Sequence, residues 1–196
     1  MKNSLVFLLI FIIMSCSSPT KTYTPTAKGA TRSGWRFFER GDFTKALEKF
    51  NAALELDNLY LPAYSGKIWT NIKLDSIANN FSLIELSDGI ATDSVYLKLE
   101  LSAAEIYTYF AVDSFEKVIN YYESNENNWS DFVFLHDKNI TEQNILIMSA
   151  LSYFYTKNYI KSAEIIKKIL PTWEYSKDDP DLPSKILNVI TNLYKK

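Results

Sequence analysis

The chain contains one cysteine, Cys16, and one histidine, His136, among 196 residues. No disulfide can form within it, and a Cys/His zinc cage lacks its ligands. Five glycines, at positions 29, 34, 41, 66 and 89, spell neither a dinucleotide-binding turn nor a phosphate loop. The six prolines stand in the N-terminal stretch, at expected helix starts or in connections, so no long periodic run is interrupted. Runs of alternating β-branched residues bounded by Asn-Gly or Asp-Gly turns are absent, which removes the signal for β-hairpins. The net charge of −2, with both signs mixed, argues against non-specific binding to nucleic acid. Against these shortages stand 47% apolar and 15% aromatic residues, ample for a packed core.

A long apolar run occurs once, at residues 5–14, behind Lys2. Ten residues fall well short of the roughly 20 needed to span a bilayer and suit the apolar region of a signal peptide. The run ends in Ile13-Met14-Ser15-Cys16, which resembles the bacterial lipobox. That resemblance implies a signal peptide over 1–15, cleavage before Cys16 and lipidation of Cys16, because several acyl chains anchor stably where one is marginal. Residues 16–26, rich in Ser, Thr and Pro, read as a flexible tether. Ser17 after the cysteine implies, by analogy with Gram-negative sorting, the outer membrane, with the domain facing the periplasm.

From residue 27 to 196 the pattern predicts an all-α domain. Within GDFTKALEKFNAALELD, residues 41–57, Gly41 suits a helix end that needs positive φ and Asp42 suits the cap of the next helix. Phe43, Ala46, Leu47, Phe50, Ala53 and Leu54 then recur at helical spacing. Gly34, Phe37, Gly41-Asp42-Phe43, Ala46, Phe50, Ala53 and Asp57 together closely resemble a tetratricopeptide repeat, whose period is 34 residues. Weaker copies have their small-residue positions at 80, 118 and 162, with Asn80 departing from the pattern. The increasing intervals predict insertions, the largest being NENNWSDFVFLHDKNI before the fourth copy. The last segment, with Leu187, Ile190 and Tyr194 on one stripe, reads as a capping helix. The resemblance therefore implies a helical-hairpin solenoid of about four imperfect repeats plus a C-terminal capping helix.

In that family the first helix of each repeat lines the concave face. Carried onto this sequence, the face contains Trp35, Phe38, Trp69, Tyr107, Phe110, Leu151, Phe154 and Tyr155. These residues suit either a grip on an extended peptide or helix or ordinary helix packing. Trp35 and Trp69 occupy the positions where clamps for acidic C-termini carry Asn, which argues against that ligand class. His136-Asp137 reads as an exposed or capping pair, and Glu123/Glu126 and Asp178/Asp179 as solvated caps. The expectation is a non-enzymatic, cofactor-free lipoprotein that binds another envelope protein or peptide as a scaffold. An alternative is an accessory protein that holds a solute or polymer in an aromatic groove.

Overall fold

The computed structural model describes residues 24–194. The expected signal peptide (1–15), Cys16 and most of the expected tether (16–26) lie outside the described residues. Among those described, the chain forms nine α-helices and no strand. They are α1 (Ala27–Glu39), α2 (Phe43–Leu56), α3 (Leu61–Lys73), α4 (Asn80–Asp88), α5 (Val95–Phe110), α6 (Phe115–Glu123), α7 (Glu142–Tyr155), α8 (Tyr159–Ile169) and α9 (Leu182–Tyr194).

Local chemistry accounts for the helix starts. The side chains of Thr26, Asp42, Ser94 and Asn158 accept hydrogen bonds from the N–H groups of Gly29, Lys45, Leu97 and Lys161, satisfying donors that a first turn leaves open. Pro62 stands in the first turn of α3, where its missing N–H is harmless. At α7, Asn144 Oδ1 accepts from the Thr141 N–H at 2.8 Å.

Four turns repeat one geometry. Gly41, Asp75, Asp113 and Lys157 are left-handed, with φ of 77°, 54°, 56° and 63°. After each, the next residue's N–H reaches back to the carbonyl five positions earlier. Asp42 bonds Phe37, Ser76 bonds Asn71, Ser114 bonds Tyr109 and Asn158 bonds Tyr153, all at 2.8–3.0 Å. This is the helix-ending motif that caps orphan carbonyls. The left-handed residues are 34, 38 and 44 positions apart. Five residues beyond them stand Ala46, Asn80, Val118 and Ser162, each with no exposed surface.

These turns join α1 to α2, α3 to α4, α5 to α6 and α7 to α8, and each joined pair packs together. The first helices of successive pairs also touch: α1 with α3, α3 with α5, and α5 with α7. Helix α9 lies on α7 and α8. It buries Leu182, Ile186 and Ile190, whereas Leu187 is 45% exposed, so Ile190 of the expected stripe is buried and Ile186 takes the place expected for Leu187. Helix α4 is short and follows a tight turn at Ile77–Asn79. Asn80 is accommodated because its polar groups are satisfied. It accepts from Asn71 at 2.9 Å and donates to Thr108 Oγ1 at 3.0 Å.

At the first junction the Phe50 ring of α2 is wedged between Gly34 of α1 and Gly66 of α3. A Cβ added at Gly34 would come within 2.7 Å of the ring, and one at Gly66 within 2.1 Å. Only glycine allows this three-helix approach.

Candidate functional site

Of the residues expected to contact a partner, three are packed instead into the interior. Trp69 is fully buried, Phe38 is 3% exposed and Trp35 is 9% exposed. Phe38 and Trp69 are core side chains, and their assignment as contacts is corrected accordingly. Tyr107, Phe110 and Phe154 are half-buried, while Leu151 is buried. Tyr155 is 54% exposed, with its ring stacked on Phe115 at 4.7 Å.

The cause is the insertion before α7. Residues 129–141 fold across the face built by α1, α3 and the start of α5, where the aromatic groove was expected. Phe134, fully buried, stacks on Trp69 at 4.4 Å and meets Trp35 and Phe38 edge-on at 5.8 and 6.0 Å. His136 lies flat on Trp35, with centroids 3.7 Å apart and planes 4° from parallel. Its Nδ1 meets Glu39 Oε1 at 2.8 Å, and Asp137 pairs with Lys73 at 2.7 Å. The His136-Asp137 pair is thus a clasp between the insertion and two helices, and half-buried rather than exposed. Burial lowers the His136 pKa, against the pull of Glu39. Further back, Trp129 donates its indole N–H to the Tyr122 carbonyl at 3.0 Å. The sequence signal for this packing was present in the apolar residues Trp129, Phe132, Phe134 and Ile140, all of which are buried.

Two buried carboxylates were not singled out by sequence reasoning. Glu100, 4% exposed, accepts from the Ser65 hydroxyl, while its backbone carbonyl accepts from the Trp69 indole at 3.2 Å. Burial pushes its carboxyl up to about 7, with the Ser65 and Tyr96 hydroxyls pulling the other way. Tyr96 in turn accepts from the Leu135 N–H at 3.0 Å, joining this group to the insertion. Glu105, 3% exposed, is pushed up to about 8 by burial and then by the neighbouring charge of Asp88. Asp88 accepts from the Tyr121 hydroxyl at 3.3 Å at the edge of a cleft of about 570 Å³. Burial thus favours the neutral form of both carboxyls, which lowers the cost of placing two Glu on the buried face of α5.

Another cleft, of about 400 Å³, remains where α5, α7 and α9 meet the insertion. Tyr107, Ile147, Met148 and Leu193 line its apolar side, and Asn139, Gln143 and Asn144 its polar side. No group of three or more His, Cys, Asp or Glu is arranged to hold a metal among the described residues. No described helix is long and apolar enough to cross a membrane. Compared with protein-family models, curated proteins and solved structures, the chain matches none.

Proposed function

We propose that the protein is a lipid-anchored scaffold of tetratricopeptide-type hairpins that binds another protein or peptide of the bacterial envelope without catalysing a reaction. The observation that carries this reading is the recurrence of one left-handed turn at Gly41, Asp75, Asp113 and Lys157. It is supported by the buried positions five residues later and by the chain of touching first helices. The lipobox-like Ile13-Met14-Ser15-Cys16 supports the anchor and, with Ser17, an outer-membrane location facing the periplasm.

The insertion narrows the partner surface. With Phe134 seated on Trp35 and Trp69, the open part of the first-helix face is the Tyr107 cleft, with Tyr155 the exposed aromatic beyond it. A photoreactive residue at position 143, on the rim of that cleft, tests the scaffold reading in intact cells. One discrete adduct to an envelope protein is the expected result; no adduct from either position 143 or position 155 overturns it. Cys16→Ser tests the anchor separately, because unchanged mature size and membrane fractionation would remove it.

A second reading, solute or polymer binding, is favoured by the lining of the same cleft. Tyr107 beside the amides of Asn139, Gln143 and Asn144 suits a hydroxylated ligand. Saturable binding of such a ligand, lost in Tyr107→Ala, would favour it over the scaffold.

A further inference from the structure

The cleft where α5, α7 and α9 meet the insertion has no charged side chain in its lining. In a chain with 21 basic and 23 acidic residues that absence is local, since the cleft beside Glu105 carries Asp88, Asp93 and Lys98. A charged group entering the Tyr107 cleft would shed water and meet no counter-charge in its lining. An uncharged occupant bears no such cost.

Hydrogen bonds around the insertion fix how two amides are presented. Asn144 Oδ1 accepts from the Thr141 N–H at 2.8 Å and from the Thr141 hydroxyl at 3.0 Å. Asn139 is held the other way round. Its Nδ2 donates to Asp137 Oδ1 at 3.1 Å, and Asp137 is anchored in turn by Lys73 at 2.7 Å. Neither amide can flip without losing these bonds. Asn144 Nδ2 and Asn139 Oδ1 are left without a partner among the described residues. The lining of one cleft therefore holds an oriented amide with a spare donor and another with a spare acceptor.

The apolar part of that lining is Tyr107 with three aliphatic side chains, Ile147, Met148 and Leu193. A peptide unit carries one N–H and one C=O, the complement of the amide pair. Along an extended chain its side chains alternate in direction, so a neighbouring residue can turn toward an apolar wall while the backbone meets polar groups. Hydroxyls would find nothing to pair with on the aliphatic side.

We propose that this cleft holds a short, extended and uncharged segment of the partner protein, anchored by one aliphatic side chain against Ile147, Met148 and Leu193. The adjoining peptide unit donates to Asn139 Oδ1 and accepts from Asn144 Nδ2. This inference rests on the scaffold reading of the same cleft, adds the chemistry of what is bound, and does not depend on the lipid anchor.

The test uses the purified full chain and an array of capped pentapeptide amides, each with an aliphatic residue at the centre and Ser or Thr elsewhere. The peptides that bind are titrated by fluorescence polarisation. Saturable binding is expected, falling at least tenfold when the central residue becomes Lys or Glu, or when the flanking peptide N–H groups are methylated. Asn144→Asp keeps the oxygen that accepts from Thr141 but replaces the spare donor, and an added negative charge in the first turn of α7 favours the helix. Its loss of binding is thereby separated from loss of fold. Leu193→Lys places a charge on the aliphatic wall, and each of these two variants must weaken binding at least fivefold. Leu187→Lys, on the exposed side of α9, leaves it unchanged. No saturable binding, a preference for charged peptides, or binding that survives both cleft variants overturns the proposal. If position 143 still gives a discrete adduct in cells, such a result removes this inference and leaves the scaffold standing. Absence of any adduct removes the scaffold reading itself.

Discussion

Replacing Gly66 by Ala sets two opposing effects against each other, and the structure decides which wins. In a helix interior the change alone stabilises by about 0.5–1 kcal/mol, because Gly loses more backbone entropy on folding. Here the new Cβ would stand 2.1 Å from Cε1 of Phe50, where ordinary contact begins near 3.4 Å, so the ring must move by more than 1 Å. It has nowhere to go: Phe50 is fully buried, Trp35 packs on it at 5.0 Å, and Gly34 closes its other side. Overpacking of this kind costs about 1–3 kcal/mol and occasionally more. With the encroachment this deep, the net loss is expected at about 2–3 kcal/mol, a fall in Tm of about 4–12 °C for a chain of this size. Thermal and urea denaturation of Gly66→Ala, Phe50→Leu and the double variant measure it. Phe50→Leu alone destabilises by opening a cavity, but should relieve Gly66→Ala, leaving the pair less than additive by at least about 1 kcal/mol. A rise in Tm for Gly66→Ala, or an additive cycle, would refute the three-helix wedge.

Three other outcomes follow from particular side chains. Lys157→Gly should stabilise by about 0.5–1 kcal/mol in chemical denaturation, because Lys at φ 63° bears a left-handed strain that Gly does not. Phe134→Ala should destabilise by about 3–5 kcal/mol and expose Trp35 and Trp69 to acrylamide; unchanged quenching would mean that the insertion is held without its central ring. Glu100 and Glu105 have folded pKa values, about 7 and about 8, above the 4.5 of an ordinary Glu, so the folded chain holds more protons than the unfolded one. Their contribution is complete below about pH 4.5 and is lost as pH rises through 7 and 8. Tm should therefore be higher at pH 5.5 than at pH 8.5, and Glu100→Gln with Glu105→Gln should flatten that difference.

The sequence by itself determined what depends on neighbours along the chain. Its apolar spacing specified helices, its prolines and caps specified where they start, and the intervals between positions 46, 80, 118 and 162 reappear in the turns at 41, 75, 113 and 157. These features rest on local hydrogen bonds and on a 3.6-residue period, and both are written in consecutive residues. Only the tertiary structure decided what covers the aromatic face. Phe134 reaches Trp69 across 65 positions of sequence, and no periodicity marks which surface an insertion will choose. The same holds for Glu100, whose acidity is set by burial between helices, and for Asn80, polar at a position expected to be small. Local pattern sets which faces a helix offers, whereas burial, pairing and occupancy depend on what packs against them.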